Sequence, residues 1–148
     1  MDELARLTAT QAIVALKARY FRAMDTKDWS ALRAVFTDDL IADFRDATPV
    51  HQPEMPIHGA DPYLTTLAPM LESVVTVHHG HMPEIDVESV TQARGVWAME
   101  DLLWPRAGLA LPFASLRGWG HYHERYRCTG GVWQIAEIRL TRLRVELG

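Results

Sequence analysis

The chain has 148 residues, of which 48% are apolar and 23% charged, so we predict one folded domain over 1–148 rather than a disordered chain. Fifteen Lys and Arg against nineteen Asp and Glu leave a net charge of −4, which argues against nucleic acid or an anionic membrane as partner. The lone Cys128, the absence of an apolar run of about 20 residues and the lack of a signal-peptide pattern predict a cytoplasmic protein.

Helical spacing dominates the first part of the chain. Thr8 and Gln11 have the form of a capping box, and the apolar residues that follow at spacings of three and four predict a helix from about Thr8 to Asp25. Asp28 is a suitable N-cap for a second, short helix, which we expect to end at 37–39. The two helices would form a tight hairpin.

The middle of the chain mixes element types. A short strand is predicted over 40–44, and three prolines within 48–58 indicate a surface loop. Apolar spacing then predicts a third helix over 59–73, with Pro62 tolerated in its first turn and Pro69 as its weak point.

From Val74 onward the apolar period changes from 3.6 to two, which predicts strands. The predicted runs are 74–81, 85–90 continuing into 92–104, 115–128 and 132–146. Residues 129–131 are a hairpin turn that joins the last two strands. Helices followed by a strand meander indicate an α+β domain in which a curved sheet wraps around the helices and leaves a cavity.

Strand alternation identifies polar residues on inward faces. Asp101 shares a face with Trp97 and Met99, so this acid needs a partner, either in a structural salt bridge or beside a catalytic base. The same alternation lets His78 face the cavity, where an imidazole beside a carboxylate is a general acid/base at neutral pH. A structural, hydrogen-bonded histidine is the alternative.

Three further residues are candidates for the same space. Tyr20 and Asp25 lie at the end of the first helix and could converge, although a core aromatic and a local cap are the simpler interpretations. Arg142 falls on the apolar face of the last strand and needs an anion.

A zinc site is a rival interpretation of the histidines. His79 and His81 share one strand face, as do His121 and His123. Both faces read as outward and no established zinc spacing accompanies them, so we expect no metal.

Four motifs carry a family resemblance: LKARYFRAMD ending at Asp25, HxGHxPEI beginning at His78, WxxED ending at Asp101, and GxWxI over 131–135. Together they resemble the SnoaL-like branch of the nuclear transport factor 2-like superfamily, most closely its bacterial bile-acid 7α-dehydratases, and are similar to scytalone dehydratases. The resemblance implies a cone-shaped, curved mixed sheet wrapped around three N-terminal helices.

The resemblance also implies a catalytic pocket and a reaction. Its catalytic residues would be Tyr20, Asp25, His78, Asp101 and Arg142. The expected activity is a cofactor-independent dehydratase that acts on a hydrophobic hydroxy-carbonyl compound, steroid-like or polyketide-like. We expect an apolar wall formed by Phe21, Met24, Met70, Trp97 and Met99.

Within that pocket, His78 would act as general base and then acid, and Asp101 would orient its ring at about 2.6–3.2 Å. Tyr20 would donate to the carbonyl oxygen as negative charge develops there. A ketosteroid-type isomerase, a polyketide cyclase and a non-catalytic binding module are the alternatives.

The outer face of the sheet predicts self-association. We expect Trp119 and Trp133 on that face, and such a face is usually covered by a partner. The prediction is a homo-oligomer, with a trimer preferred through the resemblance and a dimer second.

Overall fold

Three helices pack against one face of a curved, six-stranded mixed sheet in the computed structural model, which describes residues 1–48 and 55–148. The helices are α1 (Glu3–Thr26), α2 (Trp29–Ala34) and α3 (Ala60–Leu71). The strands are β1 (Phe36–Asp43), β2 (Ile57–His58), β3 (Val74–Val87), β4 (Gln92–Pro105), β5 (Leu116–Thr129) and β6 (Val132–Leu147). Their order in the sheet is β2-β1-β6-β5-β4-β3. The predicted α+β class is confirmed.

Helix α1 begins earlier than the sequence analysis predicts. Its N-cap is Asp2, whose carboxylate accepts a hydrogen bond from the Ala5 N–H at 2.7 Å. Thr8 lies inside the helix and donates to the Leu4 carbonyl, so the capping-box interpretation is wrong. The Asp2 carboxylate caps the first turn of the helix, whereas Thr8 lies in the helix interior, where its hydroxyl bonds to the preceding turn.

The second helix has the predicted N-cap and a different end. The Asp28 carboxylate accepts from the Ala31 N–H at 3.0 Å. Residues 37–39 belong to β1, where a helix end is expected from the sequence, because Phe36 pairs in parallel with Ile135 of β6 and is fully buried. Tertiary pairing has overridden the local helical pattern.

The third helix confirms the sequence prediction, and Pro69 lies inside it without ending it. The proline-rich segment before it is only partly described: Ile57 and His58 pair with β1, and 49–54 lie outside the described residues.

Strand β3 is longer than predicted. It runs through Pro83 to Val87, so 85–87 belong to β3 and a turn over 88–91 leads into β4. A register shift between His81 and Glu84 accommodates the proline, which cannot donate to the sheet. The prediction that 85–90 continue into the next strand is therefore wrong.

The core lies between α1 and the inner face of the sheet, where Tyr20, Phe36 and Tyr122 pack edge to face. Trp133 is 8% exposed and belongs to this core, so its predicted outward position is wrong. Trp119 lies on the outer face, opposite Glu100 of the neighbouring strand. Of the two tryptophans on which the homo-oligomer prediction is based, only Trp119 lies on the outer face. Over the described residues, no helix is long and apolar enough to cross a membrane.

Candidate active site

The C-terminal end of helix α1 meets strand β3, where a carboxylate of the helix pairs with a histidine of the strand. His78 Nδ1 lies 2.6 Å from Asp25 Oδ1, and the backbone N–H of His78 donates to Asp25 Oδ2 at 2.9 Å. The His78 side chain is 8% exposed. In the tautomer in which Nδ1 donates to the carboxylate, Nε2 is the ring nitrogen that is left for proton transfer.

Asp101 does not orient His78, contrary to the sequence prediction. The two residues are opposite each other in the β3–β4 register. Asp101 nevertheless forms a bidentate ion pair with Arg142 of β6, in which the two terminal guanidinium nitrogens donate to the two carboxylate oxygens at 2.8 and 2.9 Å. The guanidinium matches both oxygens of the carboxylate, which makes it the stronger competitor for this buried acid. Asp25 is therefore the partner of the histidine.

A glycine makes room for that ion pair. Gly118 of β5 lies opposite Asp101, and a Cβ atom at this position would come within 2.6 Å of the Asp101 carboxylate. The Arg142 side chain crosses β5 above it, and its Nε also donates to the Ala47 carbonyl at 3.0 Å. Arg142 thus ties three strands and the segment after β1 together.

An apolar layer lies beside the histidine. The Phe21 ring is stacked on the His78 ring, with centroids 6.3 Å apart and planes 16° apart. Of the other expected wall residues, Met24, Trp97 and Met99 are each at most 5% exposed. Met70 is 54% exposed on α3 and lies outside the core cluster.

Tyr20 lies deeper than the histidine pair. It is 1% exposed, and its ring contacts Phe21 and Tyr122. Burial raises the pKa of Tyr20 and of Tyr122 well above the usual value, so both phenols are proton donors at neutral pH. Among the described residues, no hydrogen bond joins Tyr20 to Asp25 or His78.

The sequence analysis missed a buried ion pair next to this layer. Lys17 of α1 bonds to Glu124 of β5, and both side chains are 0% exposed. The ammonium also lies 3.9 Å from the ring centroid of Tyr20 and 3.8 Å from that of Tyr122. Burial lowers the pKa of Lys17 to about 8, against the opposing attraction of Glu124. The signal was present in the sequence, since Lys17 interrupts the apolar stripe of α1.

Comparison with known proteins places this geometry in a family. Residues 5–139 match the model of the SnoaL-like domain. The chain belongs to the SnoaL-like family. The predicted family resemblance is thus confirmed, and the particular closeness to bile-acid dehydratases stays a prediction.

Solved structures share the SnoaL-like fold of the chain at low sequence identity. A candidate scytalone dehydratase from Novosphingobium aromaticivorans is 21% identical with a TM-score of 0.82, and the match covers 97% of this chain and 90% of the other. A hexachlorocyclohexane dehydrochlorinase from Novosphingobium barchaimii is 16% identical with a TM-score of 0.78, covering 99% and 94%. The Kfla4162 protein from Kribbella flavida is 23% identical with a TM-score of 0.84, covering 95% of each chain.

A concavity of about 650 Å³ in the SnoaL-like domain lies away from the histidine pair, on the outer face of the sheet. Its arginines Arg94, Arg125 and Arg139 are each within 4.0 Å of a carboxylate. We assign the chemistry to the inner site, because the one fully buried carboxylate that lines the described part of the outer groove, Glu124, is already bonded to Lys17 and to the Tyr126 hydroxyl.

The two outward histidine pairs do not form a metal centre in the described residues. The ring centroids are 6.4 Å apart for His79 and His81, and 6.3 Å apart for His121 and His123. Over 1–48 and 55–148, no group of three or more His, Cys, Asp or Glu is placed to hold a metal ion.

Proposed function

We propose that this SnoaL-like protein is a lyase that eliminates water from a hydrophobic hydroxy-carbonyl compound by histidine–aspartate acid/base catalysis. The observation that carries the proposal is the 2.6 Å contact between His78 Nδ1 and Asp25, which leaves Nε2 of a nearly buried imidazole as a free base. A base in this state can remove a carbon-bound proton next to a carbonyl group.

The proposed reaction uses one residue for both proton transfers. His78 Nε2 takes the proton from the carbon, and the Asp25 carboxylate stabilises the imidazolium that forms. The C–O bond then breaks with formation of a C=C bond, and the imidazolium returns the proton to the departing hydroxyl as water. The atoms balance without any further reactant.

The tyrosine would assist at the carbonyl oxygen. Tyr20 is held protonated by burial, which is the form that donates a hydrogen bond to developing enolate charge. Its ring packs against Phe21, which in turn stacks on His78, so the donor and the base belong to one aromatic cluster.

The charges inside the cone favour an uncharged substrate. The two most buried cations, Lys17 and Arg142, are already bonded to Glu124 and Asp101. An anionic group on the substrate would have to displace a buried carboxylate, which is unfavourable in an apolar interior. The apolar layer around the histidine supports the same class of ligand.

The family and its neighbours support the type of reaction. Two of the similar structures are a candidate dehydratase and a dehydrochlorinase, and both classes of enzyme remove a small molecule from adjacent carbons. Fold alone does not assign function, so the proposal rests on the histidine pair.

The test is turnover of a panel of cyclic hydroxy-ketones, followed by mass spectrometry for loss of one water. We expect His78→Ala to lower kcat by roughly 10²–10⁴-fold, the usual contribution of a positioned acid/base, with little change in Tm. His79→Ala is the matched control, because His79 is the next residue of β3 and lies on the opposite face, and it should retain activity.

Other outcomes would refute the dehydratase proposal in distinct ways. A product of unchanged mass would indicate an isomerase or a cyclase. Tight binding without any turnover would indicate a binding module. Full activity of His78→Ala would show that the base has been assigned to the wrong residue.

A further inference from the structure

We propose that Lys27, acting through the Thr76 hydroxyl, is a positioning residue that fixes the Asp25 carboxylate in its contact with His78. The proposal rests on the proposed function, and it deepens the account of the same site. Its basis is a continuous chain of hydrogen bonds that runs from a lysine ammonium to the candidate base.

Three hydrogen bonds connect the lysine to the histidine. Lys27 Nζ donates to Thr76 Oγ1 at 2.8 Å, Thr76 Oγ1 donates to Asp25 Oδ1 at 2.9 Å, and the same Asp25 oxygen bonds to His78 Nδ1 at 2.6 Å. Thr76 is 3% exposed, two residues before His78 on the same face of β3. The four side chains are therefore one connected unit.

The lysine determines which atom donates in the first two of these hydrogen bonds. An ammonium group can only donate hydrogen bonds, whereas a hydroxyl has one proton and can also accept. Because Thr76 accepts from Lys27, its own proton is left for the carboxylate of Asp25. A neutral side chain at position 27 would free the hydroxyl to rotate away.

The backbone of Lys27 adopts a conformation that favours glycine. It follows the last residue of α1 with φ 60° and ψ 29°, a left-handed conformation. Glycine is the usual residue at such a helix end, and any residue with a Cβ pays about 1–2 kcal/mol there. The same residue also donates from Nζ to the Met24 carbonyl at 3.3 Å.

The charge of Lys27 also compensates for an unfavourable position of Asp25. A carboxylate in the last turn of a helix faces the negative end of the helix dipole. The ammonium offsets this repulsion, and its positive charge disfavours a second positive charge on the imidazole of His78.

Other charges surround the unit and have to be separated from the effect of Lys27. Asp101 lies opposite His78 on β4, where it is neutralised by Arg142. Glu72 and Arg106 lie near Lys27: burial lowers the pKa of Lys27, Asp25 and Glu72 raise it, and Arg106 lowers it. Arg106 is a charge of the same sign that forms no hydrogen bond with Thr76 among the described residues.

The test compares wild type with Lys27→Met, Lys27→Arg and the control Arg106→Gln, and follows the ring signals of His78 by NMR from pH 4 to 9 in the free protein. We expect Lys27→Met to move the titration midpoint of His78 to higher pH by about half a pH unit or more. The acidic limb of the kcat/KM profile should move the same way, and a shift of half a pH unit lowers the activity on that limb by about threefold. Lys27→Arg should restore most of both, and Arg106→Gln should change neither by as much.

Three further variants separate positioning from folding. Lys27→Gly relieves the backbone strain, so its Tm should be unchanged or higher while its NMR midpoint moves as in Lys27→Met. Thr76→Val removes the hydroxyl link and keeps the ammonium, so it should lower kcat/KM without the full midpoint shift of Lys27→Met, and Thr76→Ser should retain the wild-type midpoint.

The proposal is overturned if Lys27→Met leaves the His78 midpoint in place, if Arg106→Gln moves it equally, or if Lys27→Gly loses Tm together with activity. Because the NMR titration needs no substrate, its result is independent of turnover. A moved midpoint with no elimination on any substrate would leave the role of Lys27 intact and refute only the dehydratase proposal.

Discussion

The buried pair of Lys17 and Glu124 gives the strongest stability prediction. Both side chains are fully buried, and the ammonium contacts the rings of Tyr20 and Tyr122 at less than 4 Å. Lys17→Met would leave the Glu124 carboxylate without its cation. Breaking a buried ion pair by removing one partner costs about 3–5 kcal/mol, because the remaining charge is uncompensated.

The expected loss lies at the lower end of that range. The Tyr126 hydroxyl still donates to Glu124 at 2.5 Å, and methionine fills much of the volume of lysine. We therefore expect Lys17→Met to lower the free energy of unfolding by about 3 kcal/mol, which is a fall in Tm of about 6–12 °C for a chain of this size. Urea unfolding at pH 7, followed by tryptophan fluorescence, measures it.

A double variant checks that the loss comes from the unpaired charge. Lys17→Met with Glu124→Gln removes both charges and keeps an acceptor for the Tyr126 hydroxyl. It should be more stable than Lys17→Met alone, with a coupling free energy of about 2 kcal/mol. A loss below about 1 kcal/mol in Lys17→Met, or a double variant no more stable than the single one, would refute the reasoning.

The same pair predicts a pH dependence with a definite sign. The pKa of Lys17 is lowered to about 8 in the folded chain, below its usual value of 10.5. Between these pH values the unfolded chain binds a proton that the folded chain does not, so the free energy of unfolding rises with pH. The slope should be roughly 1 kcal/mol per pH unit between pH 8 and 9.5, and Lys17→Met should abolish it. Above about pH 10 the buried tyrosines act in the opposite direction.

Two pairs of substitutions test the candidate active site and the packing of the sheet. Asp25→Asn should lower kcat by about 10²-fold or more because an amide cannot stabilise the imidazolium, and Asp101→Asn should lower it less; the reverse order in steady-state kinetics would restore Asp101 as the partner of the base. Gly120→Ala should lower the free energy of unfolding by about 3 kcal/mol, because its Cβ would collide with the Thr141 carbonyl. Gly80→Ala, whose Cβ would meet a movable side chain, should cost less, and equal losses in urea unfolding would contradict the steric argument.

Strand alternation predicts which residues share a face of the sheet. Counting in steps of two places Asp101 and Arg142 on apolar inner faces, and the structure has them there. For His78 it gives only the residues that share its face, and the family resemblance selects that face as the inner one. This works because side chains alternate strictly along a paired strand, so one buried residue fixes the orientation of its neighbours.

The partners of those residues could not be predicted in the same way. Alternation predicts which face of the sheet a side chain occupies. It does not predict which side chain of another strand or helix contacts it there. Arg142 reaches Asp101 over Gly118 on the strand between them, and Asp25 reaches His78 because α1 docks with its last turn on β3. Both contacts depend on packing between elements that are far apart in the chain.

The lysine–glutamate pair was predictable in part. Lys17 lies in the apolar stripe of α1, and Glu124 lies on the inner face of β5, so each needed a buried partner of opposite charge. What the sequence does not provide is the depth at which the helix sits in the cone, which brings these two residues together.

The docking of α1 on β3 has a consequence for the order of folding. Strands β3 to β6 are consecutive antiparallel partners, so each pairs with its neighbour in sequence, whereas the Asp25–His78 contact spans 53 residues of chain. Closing so long a loop is entropically costly and comes late when local pairing is available. The sheet would thus form before His78 has a carboxylate beside it, and the proposed active site would be completed only when the N-terminal helix docks on the sheet.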